Sequence, residues 1–76
     1  MPRYFFDIHE EQSIRLDDLG TVLSDAKAAE QEAIRSLAAM IPHRLTSGED
    51  FKTAIEVREA SRPVTRIVVK TKIHRF

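Results

Sequence analysis

The sequence predicts an α+β domain in which one long helix covers one face of a four-stranded sheet, in the order strand, strand, helix, strand, strand. Three patterns carry that expectation. Apolar residues alternate with polar ones from Arg3 to Asp17 and again from Phe51 to Ile73, the period of half-buried strands. Between these stretches Ala26, Ala29, Ala33, Ile34, Leu37, Ala38 and Ile41 recur at spacings of three and four, the period of an amphipathic helix. No internal repeat or linker interrupts the 76 residues, so residues 1–76 are expected to form one domain.

The first strand is expected over Arg3–His9, with Tyr4, Phe6 and Ile8 on one face and Phe5, Asp7 and His9 on the other. Glu10-Glu11-Gln12 is a polar break leading to a short second strand over Ser13–Asp17, with Ile14 and Leu16 turned inward. Asp17-Asp18-Leu19-Gly20 reads as a turn, since Asp side chains bond nearby backbone and glycine accepts positive φ. Ser24 is placed to cap the helix, and Asp25 to meet the positive end of its dipole. Pro42 disfavours helical angles at Ile41, so the helix is expected to end or kink there. The third strand is expected over Phe51–Glu59, the second turn at Ala60-Ser61-Arg62-Pro63, and the last strand over Val64–Ile73.

Composition narrows the chemistry. A chain of this length buries only about 60–65% of its unfolded surface, and it holds no cysteine for a disulfide or a thiolate metal site. A partner subunit is the remaining way to add buried area. Acids and bases balance at 12 each, which argues against a general polyanion binder. The acids crowd the first half and the bases the last third. No apolar run reaches the length of a membrane span, and Asp7 interrupts the opening apolar residues. The cytoplasm is the expected location.

The opening Met1-Pro2-Arg3-Tyr4-Phe5-Phe6-Asp7, the turn Asp18-Leu19-Gly20 and the helix start from Asp25-Ala26 to Glu32-Ala33 resemble a family of small uncharacterised bacterial proteins. Ile55-Glu56-Val57 and the apolar last strand extend the similarity. At the first hairpin, where such proteins often carry Asp-Gly, this chain has Glu10-Glu11-Gln12-Ser13. The resemblance implies a bacterial domain of unknown function and brings no catalytic or binding residues with it.

No catalytic site is expected, and no cofactor or metal. His9, His43 and His74 lack ligand spacing. His9 and His74 share the outward sheet face with Asp7, so the three would meet only if the first and last strands were neighbours. Asp17-Asp18 supplies too few oxygens for calcium, the serines lack a nucleophile context, and Gly20 and Gly48 are isolated. Two outward features remain. Phe5, Ala54 and Val68 form an apolar set on the face away from the helix, the mark of a contact surface. Arg58, Arg66, Lys70 and Lys72 form a basic set on the final hairpin that could track phosphates, although bases on an edge strand also guard against aggregation. The sequence therefore points to a noncatalytic interaction module, a homodimer or a protein-binding domain. The alternative is a nucleic-acid-binding or regulatory protein using the basic hairpin.

Overall fold

The computed structural model describes residues 1–76 as five strands and one helix. These are β1 (Arg3–His9), β2 (Ile14–Arg15), β3 (Thr21–Val22), α1 (Ala26–Leu45), β4 (Phe51–Glu59) and β5 (Arg62–Thr71). The α+β class holds, with five strands in place of four. Every pairing is antiparallel and the sheet is open, in the order β2-β1-β4-β5, with β3 sharing the edge of β1 that β2 occupies.

The strongest alternations give the truest strands. β1 and β4 have the expected limits, and β4 lies at the centre with Phe51, Thr53, Ile55 and Val57 buried toward the helix. β5 begins two residues earlier than expected. Its register against β4 slips at Val57/Arg58, leaving Val64 as the extra residue, and Val64 packs on the core with Ile67 and Val69. The turn between β4 and β5 holds Ala60 at φ 54°.

The second strand is shorter than expected and faces the other way. The Glu10 amide bonds the Ser13 carbonyl at 2.8 Å and closes a loop that sets Ile14 opposite His9 and Arg15 opposite Ile8. Paired residues share a face, so Ile14 lies on the side away from the helix. A one-residue shift in register inverts a whole strand in this way. Ile14 and Leu16 are exposed, and pairing stops before Asp17, whose backbone and side chain are used elsewhere.

Asp25, not Ser24, caps α1, its carboxylate accepting the Ala28 amide at 2.8 Å. The helix also runs through Pro42 to Leu45. Proline removes one backbone donor there, but Thr46 donates to the Pro42 carbonyl at 3.2 Å, and Arg44 is anchored by Glu10 and Glu11. These contacts outweigh the local preference of Ile41. Ala29, Ala33 and Leu37 are buried against the sheet, while Ala26, Ile34 and Ala38 of the same periodic set are exposed. α1 lies over β4 and β5. Although it has 20 residues, no part of it is apolar enough to cross a membrane.

Leu37→Ala is expected to cost about 2–5 kcal/mol because that side chain fills the middle of the core, whereas Arg35→Ala, on the wet side, stays within about 0.5 kcal/mol. Thr53 Oγ1 is buried without a hydrogen-bond partner, so Thr53→Val is expected to stabilise the fold by roughly 1 kcal/mol. Urea unfolding of the three variants checks the ranking.

Candidate interaction face

The sheet face away from α1 is covered only by its own side chains. Alternation sends Phe5, Asp7 and His9 of β1 there, together with Lys52, Ala54, Glu56 and Arg58 of β4 and Arg66, Val68 and Lys70 of β5. An aspartate on such a face should be wet, yet Asp7 is only 3% exposed. The register puts Phe5 opposite Arg58 and Asp7 opposite Glu56, so Arg58 reaches diagonally across β1. Its Nε donates to Asp7 Oδ2 at 2.7 Å and its Nη2 to Asp7 Oδ1 at 3.3 Å. Nη2 also donates to the Asp17 carbonyl at 2.8 Å, and Nη1 to the Ala60 carbonyl at 2.7 Å. The guanidinium lies 4.5 Å from the centre of the Phe5 ring, within cation–π range.

Asp17 ties the third corner. Its amide donates to Asp7 Oδ1 at 2.9 Å. Its Oδ2 accepts the Phe6 amide at 3.1 Å, and its Oδ1 accepts the Leu19 and Gly20 amides at 3.0 and 3.1 Å. The sequence signalled the turn bonds to Leu19 and Gly20. It did not signal the bond to Phe6, which fills the gap between β2 and β3 on the edge of β1. Gly20 closes the turn at φ 71°, where an added Cβ would stand 2.8 Å from Arg3 Cγ, 2.9 Å from Phe5 Cε1 and 3.0 Å from the Tyr4 carbonyl.

Burial pushes the Asp7 carboxyl up, but the Arg58 side chain, the Asp17 amide and the nearby charges of Arg58 and His9 outweigh it and hold Asp7 below its ordinary value. Burial likewise opposes ionisation of Asp17, and the amides of Gly20, Phe6 and Leu19 with the charge of Arg58 reverse that effect. Arg58 is raised, first by its bond to Asp7. Both carboxylates and the guanidinium are thus committed to one another and to backbone, which leaves this cluster structural rather than reactive.

Beyond the cluster, Ala54 and Val68 floor a shallow hollow rimmed by His9, Glu11, Lys52 and Arg66. The hollow exists because alanine is the shortest side chain among long polar neighbours. Its own amide, then Arg44 and the Lys52 amide, hold the Glu11 carboxyl below its ordinary value.

The structure separates several residues that share this face. Ala54 and Val68 are direct neighbours, while Phe5 lies four rows away, one strand from Ala54 and two from Val68, beneath Arg58. His9 is level with Val68, with β4 between them, so His74 stands six residues further along, roughly 20 Å at the rise of a strand. No group of three or more His, Cys, Asp or Glu residues is placed to hold a metal ion. Of the four basic residues, Arg58 belongs to the cluster and Arg66 pairs with Glu56, while Lys70 and Lys72 make no ion pair.

The two depressed carboxyls fix the sign of the acid response. Their contribution to stability is complete above the ordinary value of 3.8 and is lost as pH falls through the lower folded values. Urea unfolding is expected to show stability declining below about pH 4, with a shallower decline and lower neutral stability in Asp17→Asn. Gly20→Ala is expected to cost about 2 kcal/mol or more, combining left-handed strain with the contacts at Arg3 and Phe5.

No curated protein and no solved structure matches this chain. One protein family does, the domain of unknown function DUF6894, which matches residues 3–70. The fold and its outward face are therefore those of a DUF6894 chain, and the protein belongs to that family.

Proposed function

We propose that this domain is a noncatalytic interaction module that self-associates, working in the cytoplasm of a bacterial cell. The observation that carries the reading is the surface it leaves uncovered. A folded monomer of 8.7 kDa exposes about 4,700 Å², whereas this chain exposes 5487 Å². The excess, roughly 750 Å², is close to the ~800 Å² that each partner contributes to a standard interface. The radius of gyration of 13.6 Å likewise exceeds the ~11.4 Å of a compact chain of this length.

The outward face contributes Val68, half exposed beside the buried Ala54, to that surface, with Phe5 set apart under Arg58. The basic hairpin supports the nucleic-acid alternative less well, since carboxylates engage Arg58 and Arg66. Sedimentation equilibrium is expected to show a mass rising from 8.7 kDa to twice that value, with a midpoint in the micromolar range. Val68→Glu is expected to weaken association while leaving the unfolding midpoint within about 0.5 kcal/mol of the wild type. A monomer throughout, or micromolar duplex binding lost on removing Arg66, Lys70 and Lys72, would overturn the proposal.

A further inference from the structure

We infer that the second copy docks on the open edge of β5, joining two sheets through antiparallel β5 strands and two helices through a second apolar stripe on α1. This deepens the self-association reading and rests on it.

The two edges of the sheet are treated differently. β2, β3 and the Asp17 carboxylate occupy the edge of β1, whereas β5 ends the sheet as its longest strand, ten residues bonded on one side only. Backbone groups alternate sides along a strand. In β5 the helix-facing residues Ile67 and Val69 turn theirs toward β4, which leaves those of Arg66, Val68 and Lys70 on the open side. Val68 is also 49% exposed.

The helix carries the second half of the surface. Ile34, Ala38 and Leu45 form an exposed stripe beside the buried line Ala29–Ala33–Leu37, continued by Ile41, which is itself partly packed on the core. Ile34 is 50% and Leu45 48% exposed. At about 100° per residue, this stripe lies roughly 110° round the helix from the buried line. Its side follows from chirality. β3 and β4 run parallel, both being antiparallel to β1, and the crossover between them through α1 is right-handed. Viewed with the helix in front and running upward, β5 is then on the left and β2 on the right, and the Phe6 amide, aimed at Asp17, has the same hand. A right-handed helix turns the stripe to the left, above the open edge.

The dimensions agree. α1 straddles β4 and β5, so a two-fold axis just beyond β5 sets the helices two strand spacings apart. That is about 9.6 Å, inside the 8–10 Å of packed helices. The heights agree as well. Arg44 sits over the Phe51 ring and Phe51 pairs with Thr71. Ala38, about 9 Å down the helix, is level with Val68, about 10 Å down the strand. A two-fold through Val68 therefore crosses the helices at Ala38, the small residue of the stripe, with Ile34 and Leu45 on either side. Such an interface is closed. It uses up the edge that Arg66, Lys70 and Lys72 would otherwise have to guard.

Cysteine cross-linking of the full chain tests this, because the native sequence has none. A bonded pair of Val68 residues sets their Cα atoms about 5.5 Å apart, within disulfide range. Under mild oxidation V68C is expected to form a disulfide-linked dimer at least about tenfold faster than R15C, on the opposite edge. The I34E/L45E variant, checked for retained helix by circular dichroism, is expected to raise the dimer dissociation constant about a hundredfold. A wild-type dimer with V68C no faster than R15C would overturn this surface and leave self-association standing. A wild-type monomer at millimolar concentration would overturn both.

Discussion

Everything on the outward side of this sheet depends on the Asp7–Arg58 pair. A buried carboxylate is costly unless it is paired and fully bonded, and here one guanidinium satisfies Asp7, the Asp17 carbonyl and the Ala60 carbonyl together. Three segments distant in sequence are thereby fixed: β1, the turn after β2, and the end of β4. Once Asp17 is held, its carboxylate completes the edge of β1 and Gly20 lets the chain turn back tightly enough for β3 to pair. The short strands β2 and β3 have little pairing of their own and owe their place to this cluster.

Elsewhere the sheet is covered less completely. A helix about 10 Å wide cannot cover a sheet four strands across, roughly 19 Å, and α1 lies mainly over β4 and β5. Phe6 and Ile8 remain only partly buried, and the flank of α1 over the open edge is as apolar as a contact surface. One edge is closed by a polar cluster and the other stays open. That asymmetry, more than any single exposed residue, supports the proposed self-association.

What the sequence made legible was whatever depends on period. Strands β1 and β4, the helix and the positive φ of Gly20 follow from alternation, threefold-and-fourfold spacing and turn chemistry. Registers and long-range bonds were not legible. Ile14 faces the wrong way because a four-residue loop set the pairing, and Asp7 is buried because an arginine 51 positions away reaches it diagonally from the neighbouring strand. The helix passes Pro42 because Arg44 is anchored to Glu10 and Glu11, a contact no local preference reveals. Ile34, Ala38 and Ile41 of the stripe on α1 are merged with the buried line by spacing alone, since one count of apolar spacing does not separate two faces. Leu45 lies beyond the expected end of the helix. The family match adds membership without a role, so the interaction reading stands on surface and geometry.

Amide hydrogen exchange along β5, measured across protein concentration, tests the central claim most directly. The account predicts that the Ile67 and Val69 amides are protected at every concentration by β4, and that Arg66, Val68 and Lys70 gain protection together as concentration rises. Free exchange of those three amides at high concentration, beside protected neighbours, would contradict it.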